Sequence, residues 1–219
     1  MTATPHQARM ASLRTRSAVA RVFIGLFLVV DLLLALFAAL LLYREVTTRI
    51  SFFMVALPGF LFLIALPLLA SGLALMVWVH RAHDNLRAET LEGLNFAPGW
   101  AATSFVIPVA GLIVPFQAMR ELWNRSHGEP EHFARVSVDK VSSWWTCYVA
   151  GTLILGALTV LTALDRLTPF VLMTPPGVNG LFLLLALLLL GGSALYLWRI
   201  VGAITLAQQN VTRVTGTFD

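Results

Sequence analysis

The sequence contains little charge. Only 12% of its 219 residues are charged and 58% are hydrophobic, whereas about 25% of the residues of a typical soluble domain are charged. The charged residues lie between long apolar runs that are almost free of them. This distribution excludes a soluble globular domain, a disordered chain and a dedicated nucleic-acid-binding protein, and it indicates a membrane protein.

Cysteine and the signatures of common cofactor sites are also scarce. The single cysteine, Cys147, excludes internal disulfides and cysteine-ligated iron–sulfur clusters. None of the five histidines lies inside a long apolar run, which argues against a haem held between membrane helices. The sequence has no phosphate-binding loop, no dinucleotide-binding glycine motif and no zinc-protease or serine-hydrolase motif. We therefore expect no cofactor, no metal site and no catalytic residue, and we favour a non-enzymatic protein over an enzyme.

Four apolar runs are long enough to cross a bilayer. A hydrocarbon core about 30 Å thick needs roughly 20 apolar residues in a helix. Residues 22–43, 52–79, 144–164 and 181–200 meet this requirement. They lack the alternation of polar and apolar residues that is typical of a membrane β-barrel. The runs predict an all-α polytopic membrane protein with four transmembrane helices.

A fifth apolar run, residues 100–116, is shorter and contains Pro108, Gly111 and Pro115. Proline removes a backbone donor and disrupts the helical turn before it. Lys and Arg favour the cytoplasmic side of a membrane. If all five runs cross, the 15 Lys and Arg divide seven to eight, whereas twelve share one side if this run enters and leaves on the same side. We therefore predict four spans and a re-entrant hairpin, with both termini in the cytoplasm.

The domain organisation follows from these spans. We predict a basic cytoplasmic arm at residues 1–21, a single integral membrane domain at residues 22–206 and a short cytoplasmic tail at residues 207–219. Within the domain, residues 117–143 form a cytoplasmic segment, preceded by Pro115, which suits the first turn of an amphipathic helix at the membrane interface. The apolar face of that helix holds Phe116, Met119, Leu122 and Trp123, and its polar face holds Gln117, Arg120, Glu121 and Asn124.

Three sequence segments resemble a known family. The run W-V-H-R-A-H-D-N-L-R begins at residue 78, and F-A-P-G-W and V-I-P-V-A-G-L-I-V-P-F-Q-A-M-R-E-L-W follow it. Together they resemble the core of a bacterial family of multi-pass membrane proteins of unknown function. The resemblance is close over residues 78–123, and the chain departs from the family at His80 and Phe116, where tyrosine is usual, and after Ala88, where glycine is usual. By position it marks Trp78, Arg81, Asn85, Arg87, Pro98, Gly99, Trp100, Pro108, Pro115, Gln117, Arg120, Glu121 and Trp123. It implies a bacterial inner (plasma) membrane and no particular activity.

Polar residues on both sides of the hairpin form a candidate binding site. The second helix has no breaker through Arg87, so it is predicted to continue into the cytoplasm, where Asp84 and Arg87 are spaced to form an ion pair. Guanidinium groups bind phosphates through paired hydrogen bonds, so one hypothesis is a site for lipid head groups or another anionic ligand. The alternative is that the arginines set the topology and pair with acidic side chains and lipid phosphates. The candidate binding residues are Arg81, Asn85, Arg87, Gln117, Arg120 and Glu121.

Asp31 lies in the middle of the first span, where an ionised carboxylate costs at least about 2.5–3.5 kcal/mol. We therefore expect it to face the helix bundle, either protonated or hydrogen-bonded. The candidate hydrogen-bond partners are Thr146, Thr152, Thr159 and Ser193. Asp31 is either a proton- or cation-linked carboxylate or a neutral group that joins helices through a hydrogen bond.

Three functions remain open. The favoured one is a non-enzymatic module that presents an Arg-, Asn- and Trp-rich cytoplasmic face to membrane lipids, an anionic lipid or a protein partner. The second is a small transporter or channel in which the hairpin and Asp31 line a path, although no inverted repeat is visible. The third is a lipid-modifying enzyme that uses Arg81, Asn85, Arg120 and Glu121. Small residues permit a homo-oligomer, but none has the G-x-x-x-G spacing.

Overall fold

The computed structural model describes residues 5–48, 53–88, 93–107, 109–168 and 175–215. Within these ranges the chain forms six α-helices, joined by short 3-10 turns, so the predicted all-α class is confirmed. The helices are α1 (Pro5–Thr48), α2 (Phe53–Ala88), α3 (Pro98–Thr103), α4 (Val114–Ser126), α5 (Asp139–Leu167) and α6 (Val178–Thr215). The 3-10 turns are Ser104–Val106, Val109–Leu112 and Glu131–Phe133.

Helices α1, α2, α5 and α6 are long and apolar enough to cross a membrane. Even α5, with 29 residues, is about 44 Å long at 1.5 Å per residue, and a hydrocarbon core is about 30 Å thick. The four helices that the apolar runs predict are therefore present with the length and composition that a span requires, and each extends beyond its apolar run. Residues 5–21 are the first part of α1, in which Leu13 is fully buried.

The four long helices pack side by side in the order α2, α1, α6, α5. Neighbours in this row run antiparallel. On α1 and α2 the rings of Phe37 and Phe60 stack with centroids 5.6 Å apart. On α5 and α6 the backbone of Gly151 packs closely against α6, since a Cβ there would lie 2.9 Å from Leu190 Cγ. Among the described residues, α2 and α5 make no comparably extensive contact with each other, so the row has a gap between its two ends.

The stretch that the sequence left ambiguous lies between α2 and α5. Its longest described helix, α3, has six residues and is about 9 Å long, too short to cross a bilayer. The chain then turns back on itself. Gly111 lies against the carbonyl oxygens of Ser104 and Phe105, and its N–H donates to the carbonyl oxygen of Ile107 (2.7 Å). Pro108 lies outside the described residues. We refer to the described residues 98–107 and 109–113 as the hairpin.

Candidate functional site

The end of the helix row that carries the hairpin is held together by buried hydrogen bonds. Gln208 on α6 donates from Nε2 to the Ala82 carbonyl oxygen of α2 (3.2 Å) and to Ser126 Oγ of α4 (2.9 Å). Trp78 Nε1 donates to Thr205 Oγ1 (3.1 Å). Trp78, one of the residues that the family resemblance marks, is fully buried. Its hydrogen bond to Thr205 links α2 to α6.

Glu121 fixes the start of the hairpin. Its side chain is buried, and its Oε2 accepts hydrogen bonds from the backbone N–H (3.0 Å) and the side-chain amide (2.8 Å) of Asn95. Its Oε1 accepts a hydrogen bond from the Phe96 N–H (3.3 Å). Arg135 donates to the Asn95 side-chain oxygen (2.9 Å). Both oxygens of the Glu121 carboxylate are thus engaged by the turn before α3, which favours a structural role over a catalytic one.

Asn124 fixes the connection from α4 to α5. Its side-chain Nδ2 lies 3.0–3.1 Å from three carbonyl oxygens, those of Phe133, Ala134 and Val136. Both Glu121 and Asn124 are therefore buried, although the sequence predicted them on the polar face of an interfacial helix. The physical reason is that the flanking turns have backbone groups outside any helix that need hydrogen-bond partners, and Glu121 and Asn124 supply them.

Arg81 and Asp84 form the ion pair on the extension of α2. The distance from Arg81 Nη1 to Asp84 Oδ2 is 2.6 Å, so the predicted pairing of Asp84 with Arg87 is wrong. Both arginines are three residues from Asp84. The Arg81 side chain is only 18% exposed, and the lower dielectric of this environment favours it over the exposed Arg87.

Asn85 and His83 carry buried polar atoms without partners. Asn85 is 1% exposed, and neither its side-chain oxygen nor its nitrogen has a hydrogen-bond partner in the described part of the chain. His83 Nδ1 lies 3.1 Å from the Val79 carbonyl oxygen, and its Nε2 has no described partner. The remaining candidates, Arg87 and Gln117, are exposed. The six predicted binding residues thus divide into buried, half-buried and exposed ones.

Arg120 differs from the paired Arg81 and the exposed Arg87 because its charge is half-buried and has no described partner. Its guanidinium carbon lies 4.7 Å from the centroid of the Phe116 ring. Among the described residues it makes no hydrogen bond or ion pair, and its Nε is buried. A cation–π contact with Phe116 partly replaces the lost hydration, but the buried Nε–H has no acceptor in the described chain. Arg120 is therefore the group at this site that most needs an anionic partner.

A series of aromatic rings connects Arg120 to α5. Phe116 stacks on Trp145 with centroids 6.3 Å apart, and Trp145 contacts Tyr148 at 5.4 Å. Lys140 adds a second positive charge at this end, with its Nζ 5.5 Å from the Trp123 ring. Sequence reasoning did not select Trp145, Tyr148 or Lys140. The helical spacing of the aromatic residues in W-W-T-C-Y was the available signal for the first two.

Asp31 is fully buried between α1 and α6, which agrees with the expectation that it faces the bundle. Gly191 makes room for it, because a Cβ at that position would lie 2.7 Å from Asp31 Oδ2. Neither carboxyl oxygen has a hydrogen-bond partner among the described residues. Thr152 and Thr159, two of the predicted partners, donate to carbonyl oxygens of their own helix instead. Hydrogen bonding of Asp31, one of the predicted alternatives, is therefore not found in the described chain.

A metal site is not formed by the described residues, since no group of three or more His, Cys, Asp or Glu side chains comes together there. Cys147 is half-buried and has no disulfide partner in the described chain.

Comparison with known protein families assigns the chain to a family. A family described as a domain of unknown function, DUF4328, matches residues 43–205. The chain belongs to the DUF4328 family. The match runs from the end of α1 to the second half of α6 and includes the hairpin and α4. No curated protein and no solved structure matches the chain. The predicted resemblance is thus confirmed at the level of an uncharacterised family.

Proposed function

We propose that this DUF4328 protein is a non-enzymatic module of the bacterial inner membrane that binds the head groups of anionic lipids at its cytoplasmic face. The observation that carries the proposal is the unpaired guanidinium of Arg120, held against Phe116. A guanidinium binds a phosphate through two parallel hydrogen bonds. A lipid phosphate at the membrane surface would supply the missing acceptors.

The membrane placement rests on the charge distribution and on the position of the hairpin. Twelve of the 15 Lys and Arg lie at the end that carries α4, if α1, α2, α5 and α6 cross the membrane, and this bias favours the cytoplasm for that end. Phe105 at the tip of the hairpin lines one cavity together with Leu68 of α2 and Tyr148 of α5. With α2 and α5 across the bilayer, the hairpin would enter the apolar region and return to the same side, as a re-entrant segment does.

Two other features bear on the competing functions. Glu121, which a lipid-modifying enzyme would need as an acid or base, is occupied by Asn95 and Phe96. The unpartnered carboxyl of Asp31 beside Gly191 favours the second candidate, proton- or cation-linked transport. Proton or Na⁺ flux into proteoliposomes, abolished in Asp31→Asn, would establish transport.

Binding of a fluorescent phosphatidylglycerol to the purified full-length protein in neutral detergent tests the head-group proposal. Charge-assisted hydrogen bonds contribute about 1.5–3 kcal/mol, so we expect Arg120→Gln to weaken binding about 10- to 100-fold. Arg120→Lys should lose part of this affinity, because an ammonium cannot form the paired hydrogen bonds. Arg199→Gln removes an exposed arginine at the same end and is the matched control. Equal affinity of the wild-type protein for phosphatidylglycerol and phosphatidylcholine would contradict the proposal.

A further inference from the structure

A cavity of about 240 Å³ lies between all four long helices. Its buried walls include Phe27 of α1, Leu75 of α2, Trp144 of α5 and Leu190 of α6. Phe105 of the hairpin also lines it. Pockets for drug-sized molecules occupy roughly 300–1,000 Å³, so this smaller space fits a slender, flexible chain better than a bulky ring system.

The mouth of the cavity is aliphatic and open. Leu69 and Leu73 of α2 and Val106 of the hairpin line it and are 65%, 61% and 67% exposed. Leu69 and Leu73 lie well inside the membrane-spanning length of α2. With α2 across the bilayer, the mouth therefore faces lipid tails and not water. An occupant would enter laterally from the bilayer.

Among the described residues of the cavity wall, the polar side chains are Ser71, Ser193 and Tyr148, all uncharged. The Ser71 hydroxyl in its wall donates to the Leu68 carbonyl oxygen of its own helix (2.9 Å). Lipid tails are as apolar as the walls, so entry of a tail gains no hydrophobic energy, and only close packing favours it. The described wall carries no charge that could distinguish an anionic from a zwitterionic lipid, so we assign that selection to the head group.

The cavity and the free guanidinium are connected. Tyr148 lines the cavity and contacts Trp145. Trp145 stacks on Phe116, and Phe116 contacts the guanidinium of Arg120. An amphiphile with an apolar chain in the cavity can follow these rings and present a negative charge to Arg120. Lys140, near Trp123, adds positive charge at the same end.

We infer that the cavity between α2 and α5 holds one acyl chain of an anionic phospholipid whose phosphate is bound by Arg120. The inference rests on the proposed function for the identity of the head group. The tail site itself rests separately on the shape, the lining and the lateral opening of the cavity. Its bound lipid would fill the gap that the row of helices leaves between α2 and α5.

Photo-crosslinking tests the tail site in the full-length protein, reconstituted in phosphatidylcholine nanodiscs. The probes are phosphatidylglycerol and phosphatidylcholine that carry a diazirine on one acyl chain, and peptide mass spectrometry locates the labels. We expect phosphatidylglycerol to label the cavity wall, at Leu75 and Tyr148, at least fivefold more than Leu36 on the exposed face of α1. Excess unlabelled phosphatidylglycerol should remove the label from the cavity wall and leave the label on α1.

Gly72→Leu is the variant that fills the cavity. Gly72 lines it, and a Cβ at this position meets no atom within 4 Å, so the leucine can extend into the space without moving the backbone. We expect labelling of the cavity wall to fall at least fivefold. Gly156→Leu on α5 is the control, because Gly156 is exposed and equally free of neighbours. The competition experiment in the wild-type protein keeps the test decisive if Gly72→Leu fails to fold.

The outcomes separate the tail site from the proposed function. Equal labelling of the cavity wall by both probes, reduced by Gly72→Leu, would support the tail site and contradict the anionic head group. Phosphatidylglycerol binding that depends on Arg120, with cavity labelling unaffected by Gly72→Leu, would overturn the tail site and support the proposed function. Labelling of the cavity wall and of Leu36 to the same extent would show bulk lipid only and overturn the tail site.

Discussion

Glu121 and Asp31 are both buried carboxyl groups, but their surroundings differ. The Glu121 carboxylate accepts hydrogen bonds from three donors of one turn. Asp31, in the middle of a membrane helix, has no described partner and lies against the bare backbone of Gly191. A buried charge that is fully hydrogen-bonded organises the chain around it, whereas one without partners is retained at a cost. The comparison indicates a structural role for Glu121 and leaves Asp31 as the carboxyl group available for a function.

Removal of the Glu121 carboxylate should produce the largest loss of stability. Glu121→Ala would remove the acceptor of three hydrogen bonds, and a hydrogen bond to a charged group contributes about 1.5–3 kcal/mol. We expect the variant to lose about 3 kcal/mol or more, and Glu121→Gln, which keeps one acceptor oxygen, to lose less. The midpoint of thermal unfolding in detergent measures both. An Asp84→Ala variant, which removes a partly exposed ion pair, should change the midpoint little, and a loss as large as that of Glu121→Ala would contradict the assignment.

A methyl group at Gly191 should have an intermediate effect. Gly191→Ala places a Cβ against Asp31 Oδ2, and overpacking of a buried site costs about 1–3 kcal/mol. If Asp31 is the neighbour responsible, the cost should disappear in the background of Asp31→Ala. Thermal unfolding of the two single variants and of the double variant measures this coupling. Additive effects would show that Asp31 does not lie against Gly191.

Replacement of Asp31 by its amide should have the smallest effect on stability. Asp31→Asn removes no described hydrogen bond, so we expect a change below about 1 kcal/mol in the unfolding free energy. A large loss of stability in the same thermal assay would mean that Asp31 joins helices after all. If stability is unchanged, any activity that Asp31→Asn abolishes can be attributed to a functional role of the carboxyl group.

The four long helices were predictable because the required information is local. Apolar runs of about 20 residues specify membrane helices, and the absence of strong helix breakers explains why α1 begins as early as Pro5. The choice of Arg81 over Arg87 as the partner of Asp84 was not predictable, since both have the same spacing and burial decides between them.

The candidate site was harder to predict from the sequence than the helices were. Arg120 and Glu121 are adjacent in the chain, but the partners of Glu121 lie in the turn before α3, so only the folded hairpin separates a structural residue from a free one. The cavity is lined by residues from four long helices and the hairpin. No local pattern describes such a surface.

The role proposed for Arg120 requires that α4 lie on the cytoplasmic side, with both termini, and labelling of single cysteines tests this most directly. In a Cys147→Ser background, Gln117→Cys on α4 and Leu167→Cys at the end of α5 both place a thiol at an exposed position. A membrane-impermeant maleimide added to intact cells should label residue 167 and should label residue 117 only after permeabilisation. Labelling of residue 117 in intact cells would place α4 outside and contradict the lipid-binding site proposed at the cytoplasmic face.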